Sequence, residues 1–99
     1  MCAAPDQSVA LPAGTDLTKE TVLAGRVLAD GSPVGGAFVR LLDGTGEFTA
    51  EVVASASGDF RFFAAPGTWT LRALSRAGNG QTVLLAEGPG LHQAEVAVA

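Results

Sequence analysis

GRVLADGSPVGGAFVRLL, from Gly25 to Leu42, and ASASGDFRFFAAPGTWTLRA, from Ala54 to Ala73, decide the fold of this 99-residue chain. In both stretches apolar and polar side chains alternate over short runs, and each run stops at glycine, proline or an Asp-Gly pair. Successive side chains of a β-strand point to opposite faces, so a period of two marks strands that bury one face. The breaks have their own chemistry. Asp30-Gly31 and Gly35-Gly36 give backbone freedom, Asp43-Gly44 and Ser57-Gly58 favour tight turns, and Pro66-Gly67 fixes one φ while freeing the next.

Extending this reading in both directions gives seven strand candidates: Thr21 to Leu28, Ala37 to Asp43, Thr49 to Ala56, Asp59 to Ala64, Thr68 to Ser75, Gln81 to Ala86 and Leu91 to Val98. Short strands at hairpin spacing, with no segment demanding a helix, predict an all-β fold, a seven-stranded antiparallel Greek-key β-sandwich. Residues 1–18 show no sustained period and read as a flexible N-terminal arm; residues 19–99 form the expected domain. Because a register slip of one residue would turn the whole apolar set outward, alternation also assigns faces. The inward set is Val27, Ala37, Val39, Leu41, Phe60, Phe62, Trp69, Leu71 and Ala73. Facing outward are Arg26, Phe38, Arg40, Arg61, Phe63 and Arg72, and of these Phe38, Arg40, Arg61, Phe63 and Arg72 form a candidate protein interface, since aromatic residues and arginine are enriched in such surfaces. These outward aromatics leave self-association open as well.

Composition narrows the function classes. Apolar residues make up 47% and charged residues 16% of the chain, enough apolar material for one core and too much for a disordered segment. The net charge is −4 and the basic residues stand singly, so no cationic stripe exists to displace counterions from nucleic acid. Apolar runs fall well short of the ~20 residues of a membrane-spanning helix, and the first residues lack the pattern of a signal peptide. With a single cysteine and no such signal, the expected location is cytoplasmic.

Chemistry-bearing residues are few. His92 is the single histidine and has no partner that periodicity brings to it, so it reads as a rim or surface residue. Neither a zinc ligand set nor a carboxylate cluster is present; Glu47 and Glu51 are the nearest to an acidic pair, and no cofactor or metal is expected. Lys19, Asn79 and Glu51 supply the residue types of an internal isopeptide bond, but Asn79 sits among turn glycines and the trio reads as ordinary surface. Cys2 is the exception. Removal of Met1 would place its thiol a few bonds from the α-ammonium, which lowers a thiol pKa and raises the fraction of nucleophilic thiolate.

The spacing of Gly25 and Val27, Gly31 and Pro33, Gly36, Ala37, Val39 and Leu41, Gly58, Phe60 and Phe62, and Pro66, Gly67, Trp69 and Leu71 resembles the carboxypeptidase-regulatory-like, or prealbumin-like, module. That resemblance implies the sandwich fold and little about activity. The hydroxyisourate hydrolases of this fold carry several histidines and a C-terminal Tyr-Arg-Gly-Ser signature, neither of which matches the single His92 or the tail HQAEVAVA. A second resemblance spans the chain. Met1-Cys2 and the segment Gly35 to Ser75 are similar to the actinobacterial domain-of-unknown-function 1416 family, small proteins associated with rhodanese-type thiosulfate sulfurtransferases.

This second resemblance implies a setting in sulfur metabolism, with a sulfurtransferase as partner and Cys2 as sulfane-sulfur acceptor. It does not imply catalysis, because rhodanese sites place a cysteine loop at a helix N-terminus and no helix is expected here. The sequence therefore points to a non-catalytic accessory protein, with a purely structural interaction module as the alternative.

Overall fold

In the computed structural model, residues 14–99 are described, and eight strands follow in order: β1 (Thr21–Ala29), β2 (Ser32–Pro33), β3 (Phe38–Leu42), β4 (Phe48–Val53), β5 (Asp59–Phe63), β6 (Gly67–Ser75), β7 (Gly78–Ala86) and β8 (Gly90–Ala97). They form two four-stranded sheets. In the first, β1 is flanked by β5 and the short β2 on one side and by β8 on the other; the second has the order β4-β3-β6-β7. The all-β sandwich is thus as expected.

Two details differ from the sequence reading. The eighth strand is the two-residue β2, which pairs with the end of β1 through the Asp30-Gly31 turn and is too short to carry a periodic signal. The pairing is also not antiparallel throughout, because β8 lies parallel to β1 from Thr21 opposite Gly90 to Leu28 opposite Ala97. Parallel neighbours need a long crossover, and most of the chain, β2 through β7, lies between these two strands.

Alternation places the core where the sequence puts it. Val27, Ala37, Val39, Leu41, Phe60, Phe62, Leu71 and Ala73 are all buried, joined by Leu23, Ala54, Ala86, Val96 and Val98. Trp69 is inward but only half-buried, packed against this core at its rim, with its indole N–H donating to the Ala65 carbonyl at 2.9 Å. The Phe60 and Phe62 rings stand 6.2 Å apart at 56°, a tilted arrangement that their quadrupoles favour.

Glycine sets the closest approaches. In the row Ala94–Gly25–Phe60, a Cβ on Gly25 would lie 1.7 Å from the Ala94 carbonyl oxygen and 2.9 Å from the Phe60 ring. Across the seam between the sheets, a Cβ on Gly80 would lie 1.9 Å from the Ala97 carbonyl oxygen. The Ala77-Gly78-Asn79-Gly80 run therefore does more than turn the chain: from Gly78 onward it is strand, and its missing side chains let β7 lie against the end of β8, where Ala99 donates to the Asn79 carbonyl at 3.2 Å.

Truncating Phe60 to Ala is expected to cost about 3–5 kcal/mol, and truncating the half-buried Trp69 distinctly less. Urea unfolding of both variants checks the order; equal losses would contradict the burial difference. Gly25→Ala is expected to cost about 3 kcal/mol or more, since backbone must move to admit the methyl group. The same measurement decides it, and a variant as stable as the parent would contradict the β1–β8 packing.

Candidate functional site

Five of the seven large apolar side chains exposed among the described residues lie on one surface, the outer face of the β4-β3-β6-β7 sheet: Phe38 (50% exposed), Phe48 (62%), Val53 (37%), Val83 (64%) and Leu85 (55%). Register arranges them in rows across all four strands. Val53, Phe38, Leu74 and Asn79 form one row; Glu51, Arg40, Arg72 and Gln81 the next; Phe48, Leu42, Thr70 and Val83 the third. Rows on one face of a sheet are about 7 Å apart and adjacent strands about 4.8 Å. A polar row therefore runs between two largely apolar ones.

Local chemistry fixes each part of this face. A bulge between Leu41 and Leu42 pairs Leu41 with Ala50 but Leu42 with Phe48, leaving Thr49 as the extra residue and bringing Phe48 onto the outward side beside Leu42. The preceding turn is pinned by Asp43, whose Oδ1 accepts from the Thr45 hydroxyl at 2.6 Å and from the Thr45 and Glu47 amides at 2.9 and 3.1 Å. These bonds, the Thr45 hydroxyl foremost, hold the Asp43 carboxyl below its usual pKa. Arg40 Nε donates to Glu51 Oε2 at 2.7 Å across β3 and β4. Arg72 stands directly opposite Arg40 on β6 and has no ion-pair partner among the described residues.

The candidate interface residues of the sequence separate into two groups. Phe38, Arg40 and Arg72 meet on this outer face, whereas Arg61 and Phe63 belong to β5 and face outward from the other sheet. On that second face Val22 lies between Phe63 and Leu91, and Arg26 Nε meets Asp59 Oδ1 at 3.3 Å with Glu95 on its other flank. A shallow groove of about 540 Å³ runs over Ala24 and Gly25, bordered by Arg61, Leu91, Gln93 and Glu95. Sequence reasoning missed Phe48, Val53, Val83 and Leu85. Alternation in TVLLA gives the outward positions of β7, but the bulge that turns Phe48 outward leaves no local signal.

The remaining candidates are scattered. His92 is half-buried at the rim, its Nε2 donating to the Gly88 carbonyl at 2.8 Å. Lys19 and Asn79 are exposed on different elements, and Glu51 is engaged by Arg40. Among the described residues no three of His, Cys, Asp and Glu come together as a metal site, and no helix is long and apolar enough to cross a membrane. Cys2, together with the first thirteen residues of the expected arm, lies outside the described residues.

Solved structures similar to this one share the fold alone. A crystal structure of a DUF3823 family protein from Parabacteroides merdae matches 82% of this chain with a TM-score of 0.65 at 15% identity, and this chain spans 46% of that longer one. The dioxygenase domain of a dioxygenase carbohydrate-binding protein fusion from Streptomyces sp. SirexAA-E matches 95% of this chain and 87% of its own, with a TM-score of 0.58 at 12% identity. Sequence relatives are far closer. Two uncharacterized proteins of Mycobacterium tuberculosis, Rv0814c and Rv3118, are each 65% identical over 99 residues, covering 99% of both chains. An uncharacterized protein of Mycolicibacterium smegmatis is 68% identical over 90 residues, 90% of this chain and all of its own. The sequence profile of the family described as "Protein of unknown function (DUF1416)" matches residues 2–98, and the chain belongs to that family.

Proposed function

We propose that this chain is a small non-catalytic accessory protein that acts by docking on another protein. The observation that carries the reading is the outer face of the β4-β3-β6-β7 sheet, where five large apolar side chains stand exposed on a sheet whose other side is core. Large apolar side chains gathered on one face in this way mark interaction sites, whereas scattered single residues do not.

For the partner we propose a rhodanese-type thiosulfate sulfurtransferase, with Cys2 as the acceptor of its sulfane sulfur. What supports this setting is the family resemblance of the whole chain together with Met1-Cys2 at its start. The step is a thiol exchange. The Cys2 thiolate attacks the outer sulfur of the enzyme's cysteine persulfide, the new S–S bond forms on Cys2, and the enzyme's cysteine leaves as thiolate. No external oxidant or reductant is consumed.

Intact-mass analysis after incubation with the persulfide-loaded sulfurtransferase is expected to show one sulfur atom gained by the wild-type chain and none by Cys2→Ser. An unchanged wild-type mass with the complex still formed would end the acceptor role and leave a purely structural interaction module.

A further inference from the structure

Any surface that covers the two apolar rows must also cover the polar row between them, and that row sets the chemistry of the occupant. Arg40 and Arg72 are direct cross-strand neighbours, a like-charge pair that costs stability on its own. Glu51 relieves Arg40, but Arg72 has no acid among the described residues. Burying that guanidinium under apolar atoms would leave an unpaired cation, a loss larger than the apolar contacts around it would offset.

We propose, on the basis of the docking reading above, that this face binds a partner protein presenting carboxylates in a strip flanked by apolar side chains, with the carboxylates lying over Arg72 and Arg40. A carboxylate matches the guanidinium fork with two parallel hydrogen bonds, and Phe38 with Leu74 and Phe48 with Val83 supply apolar contact on either side.

Charge argues against a second copy of the chain in this place. An isologous pair joined face to face uses the same patch twice. A two-fold axis lying along the polar row sets Arg40 against Arg40 and Arg72 against Arg72, and one lying along the strands between β3 and β6, at the centre of the face, sets Arg40 against Arg72. The chain as a whole carries −4, yet this row holds two arginines to one glutamate, so an acidic strip is attracted here. β7, the last strand of its sheet, adds the exposed Val83 and Leu85 to the apolar part of this face.

The test is isothermal titration of the full-length chain against the purified sulfurtransferase of the same host, with Phe38→Ser, Val83→Ser and Arg72→Glu on this face and Phe63→Ser on the other. Thermal melts confirm that each variant is folded. The expected result is a loss of tenfold or more for each of the first three, binding by Phe63→Ser as tight as wild type, and affinity that falls with added salt. Binding indifferent to the first three variants, or lost with Phe63→Ser, would overturn this face while keeping the docking reading. No binding by the wild type would overturn both. Sedimentation of the chain alone is expected to show a monomer; a dimer abolished by Phe38→Ser would put a second copy on this face and overturn the proposed occupant.

Discussion

Everything in this sandwich hangs on the approach of β8 to β1 in the row Ala94–Gly25–Phe60. Because position 25 carries no side chain, the Ala94 carbonyl can sit where a Cβ would be, and the Phe60 ring closes the other side. That contact lets the last strand join the first in parallel and brings the end of the chain against β7 at Gly80 and Asn79. The two sheets are held together at this seam, and Val96 and Val98 enter the core between them.

Much of the fold was legible before the structure because it is written in local chemistry. Val39 and Leu41 alternate with Phe38 and Arg40, Phe60 and Phe62 with Arg61 and Phe63, and the burial of each residue follows from its parity. What escaped the sequence is non-local. No pattern within Leu91 to Val98 says that its neighbour is Thr21 to Leu28, or that it runs in the same direction. Trp69 obeys its parity and is still only half-buried, because it sits at the edge of the core, where depth depends on strand order and not on alternation.

The candidate site shows the same division more sharply. Phe38 and Phe63 look equivalent in sequence, each outward and each near arginine, yet one belongs to β3 and the other to β5 on opposite sides of the molecule. Arg40 and Arg72, far apart in the chain, become cross-strand neighbours. Phe48 reaches the same face through a one-residue bulge that alternation cannot anticipate. A docking surface is a property of sheet order and register together, whereas a core is a property of period alone.

The sheet that carries this surface is rigid on its inner side, where Leu41, Leu71 and Ala73 are fully packed, so the rows of its outer side are held ready for a partner before binding. The most direct measurement is a methyl chemical-shift map of the labelled full-length chain on addition of the sulfurtransferase. Shifts confined to Leu42, Val53, Leu74, Val83 and Leu85, with Val22 and Leu91 unmoved, are the result this account predicts. Shifts centred on Val22 and Leu91, with the first five unmoved, would contradict it.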